Sequence, residues 1–222
     1  MKPYRYLDLI TALFVTVLIV SNIASTKLIA FAGLPLDGGT LLFPLSYIFG
    51  DILTEVYGYK RSRRVIWIGF LCLTLMAFTF AIVDIIPPDP AFDAQAAFSR
   101  ILGQTPRIVI ASLLAYCAGE FVNSYVLAKI KIRMSGQRLW VRTIGSTLVG
   151  ELVDTAIFLP VAFFGIFPND ILIGLFIANY VFKVGTEVLF TPITYQIVAF
   201  LKRTESEDYY DRDTDFNPFA TR

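Results

Sequence analysis

Along most of the chain, apolar residues run in long blocks separated by short polar breaks. The blocks are Leu7–Phe31, Thr40–Tyr57, Val65–Ile86, Ile108–Ile130, Leu139–Phe167 and Ile171–Leu201. Each is of the order of the ~20 residues that carry a helix across about 30 Å of hydrocarbon at 1.5 Å per residue. The pattern predicts an all-α integral membrane protein with six transmembrane helices filling residues 1–203. Residues 204–222, TESEDYYDRDTDFNPFATR after the last basic pair, form an acidic and polar tail that is predicted to be disordered.

Composition agrees with this reading. The 222 residues are 56% hydrophobic and 17% charged, below the roughly one quarter charged of soluble domains. No GxxxxGK[ST] phosphate loop is present, so no nucleotide-driven motor resides on the chain. There is no histidine, which removes the commonest metal ligand and the Ser-His and His-Glu-x-x-His chemistries. Cys72 and Cys117 stand singly inside apolar blocks and read as packing residues. No metal, cofactor or nucleic-acid partner is expected. Lys2 and Arg5 followed by an apolar stretch ending in SNIAS have the outline of a secretory signal peptide. The block runs on through Phe31, however, and the basic residues fit a cytoplasmic start.

Lysine and arginine alternate between links. Lys2 and Arg5 precede the first block, and Lys60, Arg61, Arg63 and Arg64 follow the second. Lys129, Lys131, Arg133, Arg138 and Arg142 join the fourth to the fifth, and Lys202 and Arg203 follow the sixth. The other links hold only Arg100 and Arg107. By the positive-inside rule both termini and the basic links are cytoplasmic. The net charge of +1 conceals this asymmetry.

Charges also occur inside the blocks, where each costs on the order of 2.5–3.5 kcal/mol on the insertion scale. Among them are Lys27, Asp51, Glu55, Glu120, Glu151, Asp154, Lys183 and Glu187, joined by the amides Asn22, Asn123 and Asn179. Asp51 and Glu55 are spaced i, i+4, Glu151 and Asp154 i, i+3, and Asn179, Lys183 and Glu187 i, i+4, i+8, so each helix turns one polar stripe inward. The third block is free of charge through its middle and is expected to face lipid. One acid–base pair would be ordinary interhelical glue. Six carboxylates against two lysines leave four negative charges without a base. Either several carry protons or a guest rich in hydrogen-bond donors sits among them, and both point to transport. GDILTEV in the second block and GELVDTA in the fifth also suggest a 3+3 inverted repeat, the common secondary-transporter plan.

SNIASTK, FPLSYIFGDILTEVYGYKRSRR and VRTIGSTLVGELVDTAIF resemble the queuosine precursor transporter (VUT) family over roughly residues 7–200. The resemblance implies a multi-pass importer in a bacterial inner membrane for 7-deazaguanine bases, the cyano and aminomethyl precursors of queuosine. It places family motif positions on Asn22, Lys27, Asp51, Glu55, Glu151 and Asp154; Glu120, Asn179, Lys183 and Glu187 join the expected substrate site through the stripe argument. A carboxylate can accept from the ring N–H and exocyclic amine of such a base together. Phe43, Tyr47, Phe49 and Tyr180 are candidate ring walls, and Glu55 and Glu187 candidate proton sites. Two other readings stay open: a vitamin-binding subunit of a larger importer, and an intramembrane enzyme with Asp51 and Asp154 as a dyad. A homodimer suits a carrier of this size, although no motif demands one.

Overall fold

The computed structural model describes residues 4–31, 34–103, 106–165 and 168–220. Lys2, counted in the charge bias, and Phe167, the expected end of the fifth span, lie outside the described residues. The chain folds as α1 (Leu7–Ala24), a hairpin of β1 (Leu28–Phe31) and β2 (Leu34–Asp37), a 3-10 turn (Gly38–Leu41), α2 (Phe43–Tyr57) and α3 (Tyr59–Ile85). A short α4 (Gln95–Ile101), then α5 (Pro106–Arg133), α6 (Leu139–Phe163) and α7 (Asn169–Glu205) complete it. Among the described residues the regular elements are helices apart from that antiparallel hairpin. Among the described residues, five helices are long and apolar enough to cross a membrane: α1, α3, α5, α6 and α7.

The second apolar block gives something different. α2 has 15 residues, or about 22 Å of helix at 1.5 Å per residue, short of a hydrocarbon core. It is nonetheless the centre of the fold. Twelve of its residues are buried, and it packs against α1, α3, α5, α6 and α7 alike. Its apolar side, Ile48, Ile52, Leu53 and Val56, joins Ile10, Phe14 and Leu18 of α1 and Val65, Ile66 and Leu73 of α3 in one core. Asp51 and Glu55 meet side chains of α5, α6 and α7. A helix so enclosed need not match the bilayer thickness, because protein rather than lipid satisfies it.

Two other boundaries move. The first block was expected to be helical to Phe31, but the helix stops at Ala24. Ser25 to Lys27 turn the chain, Gly38 N–H closes onto the Lys27 carbonyl at 2.8 Å, and the last apolar residues pair as β1. The expected basic loop between the second and third spans is a single residue, Gly58, whose φ of 87° reverses the chain. Lys60, Arg61, Arg63 and Arg64 therefore ride on the first turns of α3. Arg61 Nη1 donates back to the Tyr57 carbonyl at 2.7 Å and closes the end of α2.

Both termini lie at one end of the bundle. Glu205, at the end of α7, accepts from the backbone N–H of Arg5 and Tyr6 and from the Tyr57 hydroxyl. We call this the basic end and the opposite one the hairpin end. As expected of a lipid-facing helix, α3 exposes Leu71, Leu75 and Phe78, each at more than 60%. The acidic tail, expected to be disordered, lies docked on the basic end as far as Ala220.

α5 and α6 form the most extensive helix pair. A Cβ on Gly119 would lie 2.4 Å from the Tyr47 hydroxyl, 2.8 Å from Asp154 Cβ and 3.0 Å from the Gly150 carbonyl oxygen. Small residues at this crossing let the two backbones approach, the usual basis of helix association in lipid. Gly119→Val is expected to cost about 1–3 kcal/mol by overpacking, read as a lower melting temperature of the detergent-purified protein. A control, Gly174→Val, has open space at its Cβ and should leave melting unchanged.

Candidate functional site

The α2, α5, α6 and α7 stripes meet along the bundle axis, and α1 closes the hairpin side. Near the hairpin end a cavity of about 550 Å³, counting its open mouth, is lined by Asn22, Ser25, Thr40, Phe43, Ser112, Asp154, Thr155, Phe158, Asn179 and Lys183 among others. Lys183 reaches in from α7. Its Nζ lies 2.6 Å from Asp154 Oδ2 and 2.8 Å from Glu151 Oε2, and 4.8 Å above the Phe43 ring. One cation thus serves two carboxylates from adjacent turns of α6. Ser112 donates to Asn22 Oδ1 at 3.2 Å, fixing the amide on the cavity wall. Thr155 keeps a buried hydroxyl with no hydrogen-bond partner among the described residues.

Farther toward the basic end the surroundings become enclosed. Asp51 lies eight residues beyond Phe43 on α2, about 12 Å along the helix, and Glu187 lies about 6 Å beyond Lys183 on α7. Asp51 is wholly buried and accepts one hydrogen bond, from Asn123 Nδ2 at 2.7 Å; its second oxygen has none. Glu120 and Glu187 are buried, and among the described residues all four of their carboxylate oxygens, like the Tyr47 hydroxyl, have no hydrogen-bond partner. Gly50 makes room for this layer: a Cβ there would lie 1.7 Å from Glu120 Oε1.

At the basic end the opposite holds. Glu55 is wholly buried and over-supplied with cations. Arg142 grips it bidentately, Nε to Oε2 at 3.0 Å and Nη2 to Oε1 at 2.6 Å. Lys202 donates to Oε1 at 2.6 Å, and Lys131 stands 3.6 Å away.

Of the residues expected to bind substrate, Asn22, Asp154, Asn179 and Lys183 line the cavity, and Glu151 joins them through Lys183. Asp51, Glu120 and Glu187 form the enclosed acidic layer. Glu55 belongs to the cation clasp instead, and Lys27 is exposed in the turn before β1. The surplus of acid persists with different members: five carboxylates face Lys183 alone, while Glu55 takes its bases from links that were expected to be loops. Among the aromatic candidates Phe43 is a cavity wall. Tyr47 is buried against Gly119 and Gly150, Phe49 packs on the apolar core, and Tyr180 bonds the Leu148 carbonyl at an exposed edge. Ser25, Thr40, Ser112, Thr155 and Phe158 went unsignalled, because serine, threonine and phenylalanine are commonplace in membrane helices.

The family model described as "Putative vitamin uptake transporter" matches residues 37–197. The chain belongs to the vitamin uptake transporter family. The "Probable queuosine precursor transporter" of Bacillus subtilis (strain 168) is 33% identical, over 79% of this chain and 77% of that protein. The "Queuosine precursor transporter" of Escherichia coli (strain K12) is 23% identical over 89% of this chain and 88% of its own. No solved structure matches significantly. The protein is thus a multi-pass bacterial membrane transporter and not an enzyme. The two aspartates considered as a dyad have separate partners, Asn123 for Asp51 and Lys183 for Asp154.

Breaking a buried ion pair from one side costs about 3–5 kcal/mol. Two lysines remain beside Glu55 in Arg142→Met, so its loss of stability is expected at or below the low end of that range. Adding Glu55→Gln should recover part of it. A double-mutant cycle on melting temperature reads this coupling; additive effects would mean the clasp contributes no specific energy.

Proposed function

We propose that the transporter imports 7-deazaguanine precursors of queuosine, seating the flat base in the cavity against Phe43 with its donor edge on Asp154. The observation that carries this reading is one lysine shared by two buried carboxylates beneath an aromatic wall. Lys183 leaves the pair one negative charge in surplus. A guanine-like edge, with a ring N–H beside an exocyclic amine, offers a carboxylate two parallel donors. Asn22 and Asn179 supply amides for the remaining polar atoms, and the names of the relatives supply the substrate class.

The path then runs from the hairpin end, outside, past Asp51, Glu120 and Glu187 to a cytoplasmic basic end. The lysine and arginine bias supports this orientation, with both termini cytoplasmic. On this reading α2 and its preceding 3-10 turn make the sixth crossing, short because protein surrounds it. α1–α3 and α5–α7 become halves of opposite orientation, each with a glycine of its middle helix, Gly50 or Gly150, set against α5. Glu120 and Glu187 are the proton carriers on this reading, which their burial without a hydrogen-bond donor among the described residues supports.

Cells expressing the chain should accumulate labelled cyano base, and Asp154→Asn should lower uptake at least about tenfold, the equivalent of one charge-assisted hydrogen bond of about 1.5–3 kcal/mol. Wild-type uptake by a correctly inserted Asp154→Asn protein would remove the base from this site. Collapsing the proton gradient should abolish concentrative uptake in the wild type, and Glu187→Gln should leave only downhill flux. Gradient-independent accumulation in liposomes would dismiss the proton carriers.

A further inference from the structure

The tail beyond α7 is bound to the end of the bundle where the proposed path must open. Asp208 Oδ1 accepts from Lys131 at 2.7 Å and lies 2.8 Å from Lys202 Nζ, the two lysines that flank Glu55. Lys131 also donates to the carbonyls of Glu55 and Tyr209, at 2.5 and 2.7 Å, so one ammonium ties α2 to the tail. The Tyr209 ring lies on Gly58, where a Cβ would stand 2.2 Å from it. Asp211 accepts from Tyr59 N–H, at 3.1 and 3.0 Å, and so caps α3. Farther on, Arg63 donates to the Asp215 and Asn217 carbonyls and Trp67 Nε1 to that of Pro218. The strap therefore crosses from α7 over the end of α2 to α3.

We infer that residues 208–219 are a releasable bolt over the cytoplasmic exit, in which Asp208 pins Lys131 and Lys202 around Glu55, and that substrate leaves only when the bolt lifts. The inference rests on the importer reading for its direction of travel. Glu55 sits one turn beyond Asp51 on α2, so Glu55 and its cations stand between the acidic layer and water. Arg142 and Glu55 are both sequestered, whereas the Asp208 side chain is 44% exposed and open to competing water. Burial alone would raise the Asp208 carboxyl, but the hydrogen bonds from Lys131 and Lys202 outweigh it and hold the group below the usual carboxylate range. It stays anionic at physiological pH, and the bolt opens by movement rather than by protonation.

The test places a cysteine at Thr147, which is buried one turn from Glu151 on the same face of α6, in a Cys72→Ala, Cys117→Ala background. Inside-out vesicles are treated with a membrane-impermeant thiol reagent, and outer-site binding of the cyano base is measured in parallel. Asp208→Ala, and separately a stop after Ser206, should speed labelling at least tenfold with binding affinity within about twofold. Asp208→Glu should label like the parent. Unchanged labelling in Asp208→Ala, in protein that still melts cooperatively, would overturn the bolt; so would equal acceleration in Asp208→Glu. Absence of base binding in every variant would strike the importer reading alone, because the labelling rates stand without substrate.

Discussion

A carboxylate stays inside a low-dielectric slab only if a cation, a donor or a proton goes with it. The molecule meets this constraint in different ways at successive depths. Near the hairpin end Lys183 divides one positive charge between Glu151 and Asp154. In the middle Asp51 has a single amide donor, and Glu120 and Glu187 have no donor among the described residues. At the basic end Glu55 has an arginine and two lysines. Compensation is thus lean in the middle of the bundle and abundant at its basic end.

α2 converts that gradient into a mechanism. It is too short to span the bilayer by itself, yet it touches every long helix and carries both Asp51 and Glu55. Because these two acids lie one turn apart on one face, a shift of α6 or α7 that loosens Arg142 or Lys202 also alters the layer around Asp51. Its other face is locked to α1 and α3 by branched aliphatic residues. α2 thus meets α1 and α3 through apolar residues and α5, α6 and α7 through its two acids.

Much of this was legible in the chain. Five of the six apolar blocks hold helices long and apolar enough to cross a membrane, because lipid demands long apolar runs, and the acids stood out because hydrocarbon penalises them. The blocks could not tell a helix from a strand over Leu28–Phe31, since four apolar residues fit either. Nor could they show that α2 is enclosed by protein. The basic residues counted for orientation were correctly clustered at one end, but Lys131, Arg142 and Lys202 also turn inward, and charge counting carries no direction. The tail was misjudged through its acidity. Acidic residues facing a basic bundle end are counter-ions, and Tyr209, Tyr210, Phe216 and Phe219 make the segment richer in aromatic residues than disordered chains usually are. All four of these rings pack on the protein: Tyr209 on Gly58, Phe216 with Tyr59 and Tyr125, Phe219 with Trp67, and Tyr210 beneath Lys131.

Electroneutrality then bears on the guest itself. The cavity and the acidic layer hold five carboxylates against one lysine, so an empty path with every acid ionised would carry four negative charges. An aminomethyl base brings a positive amine and removes one of them on entry, whereas a cyano base is neutral and leaves the count unchanged. The two candidate cargoes therefore differ by one proton in what must travel with them. On the importer reading, the acids that would accept a base edge would also set the charge carried per turnover, because a buried carboxylate needs a cation, a donor or a proton to offset it.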